Sequence, residues 1–513
     1  MTLAVGLLAY LLGLCVGSFI NVVVYRLPRG LSISQPTWSF CPHCRTTLRW
    51  QDNLPLIGWV ALGGRCRYCR AAISVQYPLI EALTGLAFVL VWYLLAVCHC
   101  RVLGASDQTI TPLVPSWPAD LPLLAAWLIL TAALMACSAM DLLFYVVDTR
   151  VTDLAMFAGI VLAALWPRPE FYGPAASSPL AAATLAAFVA SGLWLWLWSR
   201  RHRATQEEAV ETPDADATGG EPSRLGRLAC LAALVVITLC TLALLIVHSA
   251  HLPGAPGRWL VPAAFVILFA AMVLAGGLPR EIDDHLHATI EAEAPQARRQ
   301  VLGEAAWLLP IVLAGAAAFA LVALVPGAAH AWQKLTAWSP VGGLAPVGGA
   351  AYAVCGAVVA AAAGWIIRIV FTLSFGREAF GVGDIYILAA AGAAAGLDIA
   401  LLGFLLAIPI ALAGWAICLL LKRTGMIPFG PPLAVGFLLA LWLNVPAAEI
   451  GHAYWRDIQR AWQQQPHLIL LGVGVVLVAF PISVLLARLL RSLLEADQEP
   501  PASPPADEQA PGD

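Results

Sequence analysis

Residues 377–396 read REAFGVGDIYILAAAGAAAG. One carboxylate, Asp384, stands at the mouth of a run of Ala, Gly and aliphatic residues. An ionised aspartate at the centre of a membrane helix costs about 2.5–3.5 kcal/mol on insertion scales. Such a residue is a functional candidate by default, and it needs a partner elsewhere in the chain.

The surroundings show that the run belongs to a membrane. The chain has 513 residues, 60% of them hydrophobic and 12% charged. Soluble domains carry about 25% charged residues, so the mean hydropathy of +0.81 excludes an ordinary soluble enzyme. Apolar runs near the spanning length of about 20 residues fall at 2–25, 79–98, 121–142, 151–166, 178–198, 227–248, 259–277, 305–326, 348–372, 384–396, 399–421, 429–445 and 467–490. The fold expected is an all-α polytopic membrane protein of about thirteen transmembrane helices, with lipids as its surroundings. The short run at 384–396 is rich in Gly and Ala, which suits close helix packing inside the bundle. The run at 2–25 has no small-residue cleavage site before YRLPRG (25–30) and reads as a retained helix rather than a signal peptide.

Arginine placement gives the orientation. Arg26, Arg29, Arg45, Arg49, Arg65, Arg67 and Arg70 follow the first run, so that side is expected to be cytoplasmic and the N-terminus outside. SRRHR (199–203), Arg377, KRTG (422–425) and the C-terminal tail then fall on the same inner side. The net charge of −3 says little because the charges are segregated, and no nucleic-acid partner is expected. Residues 205–222 and the tail 493–513 are acidic and poor in aliphatics, so both are expected to be disordered. Residues 279–304 suit a cytoplasmic amphipathic helix.

Two motifs carry chemistry. Residues 41–69 hold two C-x-x-C pairs, Cys41/Cys44 and Cys66/Cys69, separated by 21 residues. Paired knuckles of this kind complete a closed tetrahedral thiolate site, which points to structural zinc in a small zinc-ribbon-like cytoplasmic region. Disulfides or free thiols are the alternative, disfavoured in a reducing compartment. Cys98 and Cys100 could pair or stay free, and Cys15, Cys137, Cys230, Cys240, Cys355 and Cys418 read as small apolar residues. The second motif is a partner for Asp384. Asp141, in MDLLFYVVDTRVT (140–152), ends the third run on the same expected face. Two carboxylates in one site share a proton, and the pair can then activate water and polarise a carbonyl, as aspartyl proteases do. Asp148 is a rival to Asp141.

Five stretches together resemble the type IV prepilin peptidase family, bifunctional leader peptidases and N-methyltransferases. They are GLCVGSFINVVVYRLPRG (13–30), the cysteine region 41–85, MDLLFYVVDTRVT (140–152), REAFGVGDIYILAAAGAAAG (377–396) and IPFGPPLAVG (427–436). The resemblance covers about a third of the chain. It implies that Asp141 and Asp384 are the catalytic pair and that Cys41, Cys44, Cys66 and Cys69 bind zinc. It also implies cleavage of the basic leader of prepilins and pseudopilins at the cytoplasmic face of the bacterial inner membrane. Methylation of the new amine with S-adenosylmethionine would follow. This chain departs from the family at Val147-Asp148-Thr149, where Ile/Leu-Pro-Asp is usual, and at Tyr386, where a lysine is common. A large helical insertion separates the two aspartates.

The expected organisation is a first helix (1–25), a cytoplasmic zinc-binding region (26–78) and helices carrying the first aspartate (79–160). Inserted helices with cytoplasmic loops (161–370), the GxGD core (371–492) and the tail follow. Two other readings stay open: a catalytically silent scaffold or transporter that kept the fold, and a GxGD protease with another membrane substrate.

Overall fold

A computed structural model describes residues 2–105, 110–202, 236–237, 261–270, 281–340, 343–376, 378, 380–420 and 428–464. Helix α1 (Thr2–Arg26) leads into an irregular, turn-rich segment holding a 3-10 turn (Trp50–Asn53) and the short α2 (Ile57–Ala61). Then come α3 (Gln76–Ala96), strands β1 (Val102–Ala105) and β2 (Ile110–Pro112), α4 (Leu121–Phe144), α5 (Thr149–Ala164), α6 (Pro169–Ala176) and α7 (Pro179–His202). Further along lie α8 (Glu281–Leu324), α9 (Pro326–Thr336), α10 (Pro346–Phe375), α11 (Val382–Ala395), α12 (Leu397–Leu420) and α13 (Gly430–Gln464).

Among the described residues, eight helices are long and apolar enough to cross a membrane. The expected count of about thirteen is not reached among these residues, and two of its runs form helices shorter than a full span. At 1.5 Å per residue, α5 with 16 residues and α11 with 14 are roughly 24 and 21 Å long, short of the ~30 Å hydrocarbon core. The run at 259–277 is described only over Val261–Ala270. The runs at 227–248 (apart from residues 236–237) and 467–490, the loop 205–222 and the tail 493–513 lie outside the described residues. The all-α expectation is also modified by one antiparallel pair, β1 with β2, in the connection between α3 and α4. The amphipathic stretch and the apolar run after it, expected as separate segments, form one 44-residue helix, α8, about 66 Å long.

Small residues set the packing distances. Gly13 and Gly17 let α1 lie against α3: a Cβ on Gly13 would stand 2.8 Å from Gly85 Cα, and one on Gly17 2.7 Å from Glu81 Cα. At the α10–α11 crossing, Gly356 and Gly392 face each other, and a Cβ on either would run into the other's carbonyl. This close approach buries the Ala-rich α11, where Ile387, Leu388, Ala390 and Ala391 are almost inaccessible. Backbone approach through small residues is how helices associate where lipid and side chain are equally apolar. Gly356→Val is therefore expected to force α10 off α11 and cost about 1–3 kcal/mol or more, seen as a lower unfolding temperature in detergent.

One end of the bundle is tied by charge. Arg101 is buried, donates to Asp398 Oδ2 at 2.9 Å and to the Tyr352 hydroxyl at 3.1 Å, and lies over the Phe171 ring. Asn444 donates to the same Asp398 oxygen at 2.9 Å. Asp120 likewise accepts from Arg168 and from the Trp166 indole. The candidate site lies at the opposite end.

Candidate active site

Three turns meet there. The first follows α4. Asp141 sits in the last turn of that helix with 9% of its surface exposed. Tyr145, in the left-handed conformation (φ 54°), closes the helix by donating its N–H to the Asp141 carbonyl at 3.1 Å. The chain then reverses through Val147, and Asp148 starts α5.

The second turn carries Asp384 in the first turn of α11, one residue after Gly383. A Cβ on Gly383 would stand 2.7 Å from Val147 Cβ, so the two aspartate motifs are in direct contact and only glycine fits. The Asp384 carboxylate reaches back to Gly381, 3.3 Å from where a Cβ there would lie. The contact of Val147 with Gly383 puts Asp141 and Asp384 at the same end of the bundle. Gly383→Ala is expected to push the motifs apart by a few tenths of an ångström or more. Because a 1 Å misplacement can cost about 100-fold in rate, any reaction carried by the pair should fall by about tenfold or more in this variant at normal protein level.

The third turn opens α13. The Gly430 amide donates to Asp141 Oδ2 at 2.7 Å, and a Cβ on Gly430 would lie 2.7 Å from that oxygen. Phe380, Phe404 and Phe429 pack edge to face around these turns, with centroids 5.8, 6.0 and 6.1 Å apart. Phe380 precedes Gly381 and Phe429 precedes Gly430, so the rings brace the two glycine turns that hold the carboxylates.

Asp148, the rival, is partnered within its own turn. It caps α5, accepting from the Arg150 N–H at 2.9 Å, and pairs with the Arg150 side chain at 2.7 Å. Burial acts to raise its pKa, but the Arg150 bonds outweigh this and hold the carboxyl below the usual range.

The cysteine region leads off the same end. Arg29, just past α1, stacks over Phe144 in the last turn of α4 with its guanidinium carbon 5.3 Å from the ring centre. Two matching knuckles follow. Cys41 N–H donates to the Thr46 carbonyl at 3.0 Å, and Cys66 N–H to that of Ala71 at 2.8 Å. Arg45 and Arg70 occupy the same left-handed corner, φ 56° and 61°. The four sulfurs of Cys41, Cys44, Cys66 and Cys69 lie within 4.8 Å of one another, with Cys41 and Cys69 at 3.9 Å. A tetrahedral zinc with bonds of about 2.3 Å spaces its sulfurs about 3.8 Å apart, so the donor set fits a metal. The four thiols form no disulfide; Cys98 and Cys100 are also free thiols. Of the cysteines expected to be buried, Cys137 and Cys418 are, Cys355 is half-buried and Cys15 is exposed; Cys230 and Cys240 lie outside the described residues.

Residues 11–95 match the family model of the bacterial peptidase A24 N-terminal domain. The resemblance to prepilin peptidases therefore stands. The chain is 40% identical over 154 residues to the prepilin leader peptidase/N-methyltransferase of Myxococcus xanthus (strain DK1622), covering 30% of this chain and 39% of that one. It is 47% identical over 97 residues to the enzyme of the same name from Klebsiella pneumoniae, covering 18% and 42%. A type 4 prepilin-like proteins leader peptide-processing enzyme of Escherichia coli is 44% identical over 105 residues, covering 17% and 39%. The chain spans about two fifths of the length of these relatives. No solved structure matches it.

Two parts of the site were not anticipated from sequence. The Gly430 amide is 289 positions from Asp141; the only signal was the Pro/Gly-rich stretch 427–436. The aromatic triangle has no sequence signature, since three phenylalanines in separate segments carry no periodicity.

Proposed function

We propose that the chain is a multi-pass aspartyl endopeptidase of the bacterial inner membrane that removes the basic leader of prepilins and pseudopilins at the cytoplasmic face. The observation that carries this is the contact of the two aspartate motifs, Val147 against Gly383, at the end of the bundle where the thiolate cluster emerges. One carboxylate of the pair is ionised and takes a proton from water; the other keeps its proton and donates to the scissile carbonyl. The Gly430 amide, donating to Asp141, favours the ionised form there. Asp141 is accordingly the base and Asp384 the acid. Water adds to the carbonyl carbon, the gem-diol collapses, and the leaving amine takes its proton from the pair.

Cys41, Cys44, Cys66 and Cys69 would hold zinc. Four thiolates leave no open position for substrate, so the metal braces the fold of the 41–69 region and takes no part in cleavage. The names of the relatives include a methyltransferase, and we take methylation of the new amine as the second activity, with S-adenosylmethionine as donor. A cleft of about 420 Å³ beside the knuckles is lined by Trp38, Thr47, Leu48, Arg49, Trp50 and Gln51. That lining has an arginine and no carboxylate to meet a sulfonium or a ribose diol, so it does not fit the donor.

The test is incubation of the purified chain with a prepilin from the same cell, reading leader loss and amine methylation separately by mass. Leader loss without methylation leaves the protease reading intact and removes the second activity. Neither change removes both.

A further inference from the structure

The insertion is not remote from the site. Arg368, on α10, is 8% exposed and sits behind the turn that carries the GxGD motif. Its Nη1 donates to the Phe380 carbonyl at 2.7 Å and to Glu378 Oε1. These two acceptors flank the start of the turn that leads into Gly381-Val382-Gly383-Asp384. The other edge of the guanidinium is taken by Glu304 of α8: Nε to Oε2 and Nη2 to Oε1, both at 2.9 Å. This is a two-pronged carboxylate–guanidinium pair, the geometry that fixes the plane of an arginine as well as its position. A few residues earlier on α8, Arg298 Nε donates to the Leu373 carbonyl at 3.2 Å near the end of α10. Its guanidinium also fills the space beside Gly376, where a Cβ would meet Nη2 at 2.9 Å. One inserted helix thus grips both the last turn of α10 and, through Arg368, the entry to α11.

We propose that Glu304 is a positioning residue: it fixes the plane of Arg368, which holds the Phe380 carbonyl and thereby the turn that aims the Asp384 carboxylate at Asp141. Without Glu304 the guanidinium keeps Glu378, a residue half open to solvent, and loses its second fixed edge. The Phe380 carbonyl is then held by a swivelling donor. The glycines at 381 and 383 supply no stiffness of their own, so the carboxylate samples a wider range of positions. The insertion is in this way a structural part of the catalytic frame.

The inference rests on the protease reading, and two measurements keep them apart. The full chain in detergent is compared with Glu304→Gln, which keeps shape and removes charge, and Glu304→Asp, which keeps charge. In Glu304→Gln, backbone amides of 376–384 are expected to exchange with deuterium faster than in the parent, while those of the cysteine region do not change. Prepilin cleavage by the same variant is expected to lose about 10- to 100-fold in kcat, with KM held within about twofold. Glu304→Asp should recover turnover above that of Glu304→Gln. Unchanged exchange in 376–384 overturns the inference whether or not the parent cleaves prepilin. So does unchanged kcat in a parent that cleaves, or a matched fall in kcat and in folded protein for both variants. A parent that cleaves no prepilin while exchange responds as expected overturns the protease reading alone.

Discussion

Asp384→Asn, and equally Asp141→Asn, should reduce leader cleavage by about 10³-fold or more while leaving the amount of folded protein unchanged. The substitution preserves size and removes only the acid, and general acid–base groups each contribute about 10²–10⁴-fold. The two losses have different origins. At position 141 the Gly430 amide still finds an acceptor in the Asn oxygen, so the turn at the head of α13 survives and only the base is lost. At position 384 the amide can still donate a hydrogen bond to a carbonyl but cannot hand over a proton. Asp148→Asn serves as the contrast. Asn is as good a helix cap as Asp, so the variant loses the Arg150 pair, 2.7 Å long with its arginine largely exposed, which contributes about 1 kcal/mol. Cleavage should stay near the parent level. If instead Asp148→Asn is inactive and Asp141→Asn is active, the first aspartate has been assigned to the wrong turn.

Removing zinc, by contrast, should act on the fold. Structural zinc sites contribute about 10–16 kcal/mol of apparent binding free energy near neutral pH, and the 26–78 segment has little regular secondary structure. Around the knuckles the described structure is a 3-10 turn, the five-residue α2 and two isolated bridges. Cys66→Ser or Cys41→Ser, at the two buried cysteines of the cluster, should therefore lower the yield of folded chain severely, with turnover per surviving molecule nearly unchanged. Acid should have the same effect. Without metal, burial pushes the Cys41 thiol up to about 12. The Thr46 hydroxyl, 3.3 Å away, draws Cys44 down to about 6. Zinc binds the deprotonated ligands, so its occupancy is kept at higher pH and lost as protons compete at lower pH. Metal analysis of active, folded protein should give one zinc per chain. Active protein free of zinc would contradict this.

Hydropathy made the membrane class and most of the long helices legible, because lipid demands long apolar runs whatever the tertiary contacts. It was least informative at α5 and α11, whose helices are shorter than a full span and whose apolar residues pack into the bundle. There burial comes from neighbouring helices, and a run of 14 or 16 residues looks the same either way. The cysteine knuckles were readable because ligand spacing is a local property. Asp141 and Asp384 were readable as candidates because carboxylates are rare beside apolar runs. Their contact through Val147 and Gly383 was not, and neither were the supports around them. Gly430 to Asp141 and Arg368 to Glu304 join positions 289 and 64 apart, and one sequence carries no record of such pairings. Asp148 was a rival to Asp141 for a physical reason: an N-cap aspartate next to a candidate motif has the same composition as a second acid.

The most direct test of the central claim is whether the two aspartates act as one unit. Single-turnover cleavage of a prepilin should be measured for the parent, Asp141→Asn, Asp384→Asn and the double variant. Groups that act in one step are far from additive, so the double variant is expected to cleave within about threefold of the slower single variant. A double variant slower by the product of the two single losses, or a single variant that retains the parent rate, would contradict the shared site.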